Sequence, residues 1–217
     1  MFRIMNLPML SRTFTALCLC ALTTFCNVVD AGEIYSDNCG YDRARLLSLD
    51  ENAFDQDMAG GWRALAATPG CLLIAADLVR DYRNAHHKNA GLLFWHEAQV
   101  RADAGQYAQA IALMESAYKP AKDDKAGWNP YVDATIAFLR RDRSALQRAR
   151  ATLAAVPPPT GVGVPPVING YMEADFDDGT KKRIRWPINI DVVEGLEHCF
   201  DKPYAEAYKD ECRPKQQ

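Results

Sequence analysis

The stretch Leu92–Tyr118, LLFWHEAQVRADAGQYAQAIALMESAY, decides the fold. Apolar and small residues recur at three- and four-residue steps on both sides of Ala104–Gly105–Gln106, the pattern of two amphipathic helices joined by a short turn. Gly105 relieves the turn, because glycine reaches backbone conformations closed to other residues. Ala98 and Ala110 are small enough for two helix backbones to approach, and Tyr107 and Met114 fill the remaining space.

On the N-terminal side, Tyr41–Leu49 has the apolar spacing of a short helix, and Phe54–Ala67 follows with Phe54, Met58, Trp62, Leu65 and Ala66 at helical steps, weakened by Gly60–Gly61. Thr68–Pro69 reads as an N-cap and first helical position for Gly70–Ala85, which ends in the polar exit His86–Asn89. On the C-terminal side, Pro120–Gly127 is a charged turn, and Tyr131–Arg140 with Ser144–Val156 makes a second helical pair. Trp62, Trp95 and Trp128 lie 33 residues apart, each near the start of the first helix of a pair, which suggests a repeat.

Gly105, Tyr107, Ala110, Ile111, Met114 and Ala117, with Ala98 on the preceding helix, resemble a tetratricopeptide repeat, G-x-Y-x-x-A-[IL]-x-x-[FYM]-x-x-A. The resemblance spans roughly residues 54–156 and is sharpest over Phe94–Ala117. The neighbouring pair matches at two offsets: near 37 in its first helix (Phe94 to Tyr131) and 35 in its second (Ala110 to Ala145), implying a turn about two residues shorter. The resemblance implies stacked antiparallel helical hairpins whose first helices line a concave groove. Here those positions are Leu92, Trp95, Gln99, Ala102 and Asp103, then Val132, Ile136, Leu139 and Arg140.

The ends of the chain frame this core. Arg3 and Arg12, a mostly apolar run Thr13–Cys26 and the small-residue pattern Val29–Asp30–Ala31 read as a cleavable signal peptide, cut after Ala31. The apolar run is shorter than the roughly 20 residues a transmembrane helix needs, so no stable membrane anchor is expected. Removing residues 1–31 leaves 186 residues with four of the seven cysteines, Cys39, Cys71, Cys199 and Cys212. An even count in an exported chain fits disulfides, with three connectivities open; Cys39–Cys71 and Cys199–Cys212 are favoured because each pair flanks one end of the helical run. The leader carries two of the 25 Lys+Arg and one of the 28 Asp+Glu, so the remainder has a net charge of −4, which argues against nucleic acid or an anionic membrane as the main partner.

After Val156, Pro157–Pro159, Pro165 and Pro166 form an extended connector. Gly170–Trp186 then reads as a β-hairpin. A three-residue loop Asp177–Asp178–Gly179 pairs Glu173 with Arg183 and Asp175 with Lys181, and puts Met172, Ala174, Phe176, Ile184 and Trp186 on one face. Asp191 and Glu194 form a capping-box pattern for a following helix, and Pro203–Tyr208 forms a last short one. The fold class is therefore mainly α: antiparallel helical hairpins over residues 32–156, then a connector, a small β-hairpin and terminal helices over 157–217 packed on the same domain.

Chemistry-bearing motifs are few. His86, His87 and His96, with Glu97 and Asp81, are the only candidates for a metal-dependent site, yet no HExxH, CxxC or His pair on one helix face is present, so no metal or cofactor is expected. The serines lack a nucleophile motif, and Gly161–Val162–Gly163 opens no helix, so it is not a phosphate loop. The run Arg140, Arg141, Arg143, Arg148, Arg150 could hold anions but reads more simply as a solvated face. The leading expectation is an exported, non-enzymatic protein, periplasmic or secreted, that binds another protein or peptide through Leu92, Trp95, Gln99, Asp103, Val132, Ile136 and Arg140. The alternatives are a small metal-dependent enzyme or ligand-binding protein using His86, His87 and His96, and a disulfide-stapled accessory subunit without a groove, which the prolines and hairpin of 157–186 would fill.

Overall fold

The computed structural model describes residues 39–87, 91–175 and 179–215, with the backbone alone at Ala174 and Asp175. The leader read over residues 1–31 and the hairpin tip at 176–178, including Phe176, lie outside the described residues. The fold is mainly helical with one two-stranded sheet, as the sequence pattern predicts.

Helix α1 (Arg43–Leu47) is capped by Asp42, whose Oδ1 accepts from the Arg45 N–H at 2.9 Å. The single helix expected over Phe54–Ala67 is broken in two. Asn52–Gln56 makes one π turn, and α2 (Gly61–Ala66) starts after Gly60. The reason is steric: Gly61 has φ +53°, and a Cβ there would come within 1.9 Å of the Phe54 carbonyl oxygen. Helix α3 (Leu72–Ala85) begins two residues later than expected. Cys71 stands at its cap, while Gly70 at φ +82° turns the chain, so Thr68 does not serve as the N-cap.

The central pair is α4 (Leu92–Asp103) and α5 (Tyr107–Glu115), with Gly105 at φ +81° in the turn. The second pair is α6 (Trp128–Leu139) and α7 (Arg143–Ala154). The two offsets read from the sequence do not reflect turns of different length. Both turns hold three residues, and both helices of the second pair start 36 residues after their counterparts. Arg141, at φ +58°, occupies the left-handed position that Gly105 occupies in the first turn. The tryptophans are not equivalent either: Trp62, Trp95 and Trp128 are the second, fourth and first residues of their helices.

Strands β1 (Tyr171–Asp175) and β2 (Lys181–Arg185) pair antiparallel in the expected register, Glu173 opposite Arg183 and Asp175 opposite Lys181. Met172 and Ile184 share the half-buried face. The hairpin is fastened by the Trp186 indole, which donates to the Val156 carbonyl at 3.2 Å, and by the Arg185–Glu194 ion pair. That pair diverts Glu194 from the expected capping box; Asn189, at φ +67°, is the residue before α8 (Ile190–His198). A short α9 (Tyr204–Ala207) and a 3₁₀ turn (Asp210–Cys212) complete the chain.

Two hydrophobic cores meet at α4. Leu93 and Val100 join the first, built with Phe54, Trp62, Leu78 and Val79. Trp95, Ala98 and Ala102 join the second, built with Tyr131, Phe138, Leu146, Leu153, Leu196 and Tyr204. Helix α8 packs on α6 and α7, and α9 reaches α4. Disulfides Cys39–Cys71 and Cys199–Cys212 close loops of 32 and 13 residues in the favoured connectivity. Two disulfides fit an oxidising compartment. No helix among the described residues is long and apolar enough to cross a membrane.

Candidate functional site

The seven groove residues inferred from the sequence do not form one surface. Trp95, Val132 and Ile136 are 3%, 0% and 5% exposed and belong to the second core. Trp95 packs edge-on to Trp128 at 5.0 Å and against Tyr131 at 4.9 Å between ring centroids. Leu92 is exposed. Ile136 and Arg140 border a shallow depression with Glu115, Tyr118 and Asp133, where Arg140 pairs with Glu115 at 2.8 Å. From the C-terminal segment, α8 packs on α6 and α9 on α4.

Gln99 and Asp103, one helical turn apart on α4, do face an opening. With Trp62 and Arg63 from α2 and Tyr204 and Tyr208 from the C-terminal segment, they line a cleft of about 320 Å³. Burial pushes the Asp103 carboxyl up from its ordinary 3.8 to about 6, opposed only by the charge of Lys209. The carboxyl is half-buried, on the last residue of α4. The Tyr204 hydroxyl is fully buried and makes no well-formed hydrogen bond among the described residues. The nearest polar group is the Gln99 amide, which acts on it as a hydrogen-bond donor without reaching ideal geometry. A buried polar group left unpaired costs about 1–3 kcal/mol, so the Tyr204 hydroxyl, set beside a desolvated carboxyl, calls for a physical account.

The walls explain how the recess is held. Tyr107 fixes α9 by accepting from the Tyr204 N–H at 3.2 Å, and the Tyr131 and Tyr208 hydroxyls meet at 3.1 Å. Arg213 donates to the Tyr208 carbonyl at 3.0 Å. On the α2 side, the Arg63 guanidinium lies 4.3 Å from the Trp62 ring centroid and its Nε donates to the Asp55 carbonyl at 2.9 Å. Asp55 is itself buried. Burial resists its ionisation, but bonds from His96 Nδ1 (2.6 Å), the Trp62 indole (2.8 Å) and Gln56 prevail and hold its carboxyl below the usual range. Trp62→Phe keeps the ring contacts and deletes one donor to this carboxylate. It is expected to lower stability by about 1–2 kcal/mol, read as a shift of the urea midpoint; an unchanged midpoint would mean the bond contributes nothing.

The other sequence candidates take separate structural partners. His86 Nε2 bonds the Leu47 carbonyl at 2.9 Å and its ring stacks on Tyr82, His87 ends α3 at φ +52°, and His96 serves Asp55. Asp81 pairs with Arg43 and Arg80, and Glu97 with Arg83 and Arg101. Among the described residues no three His, Cys, Asp or Glu side chains are grouped to hold a metal ion. The arginine run is a fastening rather than an open anion site. Arg141 reaches the Phe200 carbonyl, Arg143 pairs with Asp201 at 3.5 Å, and Arg150 lies 2.8 Å from Glu197. Sequence reading missed Trp62, Arg63, Tyr204 and Tyr208 as cleft residues. The one available signal was Tyr204 and Tyr208 at helical i, i+4 spacing.

Stacked helical hairpins closed by a C-terminal helical cap, with a cleft between α2, α4 and α9, define the class of architecture. No protein family, curated protein or solved structure matches the chain.

Proposed function

We propose that this is an exported, non-enzymatic binding protein, tetratricopeptide-like in its central hairpins, that takes part of another polypeptide into the cleft between α2, α4 and α9. The supporting observation is a recess walled by Trp62 and Tyr208 that brings together the half-buried Asp103 carboxyl, held above its ordinary range by desolvation, and the buried Tyr204 hydroxyl. Binding sites combine an apolar or aromatic wall with a few convergent polar groups, and a bound segment would supply the partners those groups lack. The two disulfides are consistent with export, because they persist in oxidising compartments.

Site-specific photocrosslinking tests the reading. A photoreactive residue at the exposed cleft position Ala67 is expected to give a discrete crosslinked polypeptide in an envelope or secreted fraction, while one at Ala112 on the exposed face of α5 is not. Identical adduct patterns at the two positions, or none at Ala67, would overturn it.

A further inference from the structure

Resting on that reading of the cleft, we infer that the group it admits is an organic cation, the alkylammonium or guanidinium head of a basic side chain. The lining selects for this charge by elimination. An anion would meet the Asp103 carboxylate, and a neutral apolar group would take away the water that still reaches that carboxylate and offer no donor in exchange. A cationic head instead offers N–H donors to the Asp103 carboxylate, the Tyr204 oxygen and the Gln99 carbonyl together, all of which can accept.

The walls favour the same charge. Trp62 and Tyr208 present aromatic rings, and rings attract cations over their faces. The protein already uses both rings in this way: Arg63 lies 4.3 Å from the Trp62 centroid and Arg213 lies 5.3 Å from that of Tyr208. Arg63 does not cancel the charge of Asp103, because its own is answered by Asp55. The other cations are Arg213, which pairs with Asp191 and Asp210, and Lys209, which is exposed at the end of the C-terminal segment and acts on Asp103 through charge alone. Lys209 is the internal competitor that a ligand displaces. The charged and titratable groups around the recess are thus Arg63 from α2, Asp103 from α4, and Tyr204, Tyr208, Lys209 and Arg213 from the C-terminal segment. A volume of about 320 Å³ suits one side chain rather than a large cofactor.

The test uses the mature disulfide-bonded protein and four probes: N-acetyl-lysine amide, its uncharged analogue N-acetyl-norleucine amide, agmatine, and a Gly-Lys-Gly tripeptide. Binding is followed by NMR shifts of the Gln99 side-chain amide and the Trp62 indole. The lysine amide is expected to bind at least about tenfold more tightly than the norleucine amide, and about tenfold more weakly at pH 5 than at pH 7.5, as Asp103 takes up a proton. Asp103→Asn is expected to erase the preference, and Lys209→Ala to strengthen lysine-amide binding by several-fold. If Asp103→Asn does not fold, the pH series on the unaltered protein carries the same test. Equal binding of lysine and norleucine amides, or a preference that does not change with pH, would overturn the inference. A discrete crosslink at Ala67 would then leave the polypeptide-binding reading standing. Agmatine binding as tightly as Gly-Lys-Gly, with no crosslink at Ala67, would keep the cation and assign it to a free amine, removing the polypeptide reading instead.

Discussion

Glu97→Ala is expected to destabilise the protein by about 3–5 kcal/mol, the largest effect of any single polar substitution on α4. Glu97 sits between two arginines from adjacent helices. Oε2 accepts from Arg83 Nε at 3.0 Å and Nη2 at 2.5 Å, and Oε1 accepts from Arg101 Nε at 2.9 Å. All three side chains are at most 10% exposed. Removing the carboxylate leaves two guanidinium groups out of water with like charge facing like. Asp77 still pairs with Arg101 at 2.8 Å, but among the described residues Arg83 retains only the Phe94 ring at 3.7 Å. Glu97→Gln preserves shape and one acceptor, so its loss should be smaller. Urea unfolding at neutral pH measures both. A loss below about 1 kcal/mol for Glu97→Ala, the value typical of an exposed pair, would show that the network is effectively solvated.

Asp103→Asn is expected to do the opposite, raising stability by about 1–3 kcal/mol at pH 8. The sign follows from the direction of the pKa change. Burial raises the Asp103 carboxyl from 3.8 in the open chain to about 6 in the folded one, so the folded state holds the proton more tightly. That preference favours folding fully below pH 4 and is lost as the pH rises through about 6, leaving an ionised carboxylate in a poor environment. The variant's advantage should therefore vanish below pH 4, which a Tm series from pH 3.5 to 8 would read. Asp55 has the reverse dependence. Its lowered pKa supports folding above the ordinary carboxylate range, and that support is lost on acidification. A gain in stability that accompanies a loss of cation binding in Asp103→Asn is the signature of a residue kept for a ligand. No gain at pH 8 would mean that solvent reaches the carboxylate freely.

Much of the fold is legible because its signals are local. Gly105 marks the turn of the first hairpin, Glu173–Arg183 charge pairing fixes the sheet register, and cysteine position suggests the disulfides. What escaped depends on contacts between distant residues or on residues in atypical conformations. Arg141 adopts a left-handed turn that sequence reading reserves for glycine, which hid the common 36-residue spacing. Asn189 does the same before α8 and defeats the capping-box pattern. The groove assignment failed on a different point. Trp95, Val132 and Ile136 have the composition of a contact surface, but only the packing of α8 and α9 decides that they are core. The cleft joins residues from 62 to 208, and Asp55 finds His96 across 41 positions, separations at which no periodicity carries information.

One wall of the cleft, Tyr204 and Tyr208, lies inside the loop that Cys199–Cys212 closes. The recess therefore does not exist on a partly synthesised chain. The second core draws Leu196 and Tyr204 from the same C-terminal segment, so the wall of the cleft and the cover over Trp95 and Val132 are supplied together. Closing that 13-residue loop ties both tyrosines to one short tether, so a single covalent bond restrains the wall of the cleft and the cover of the second core alike.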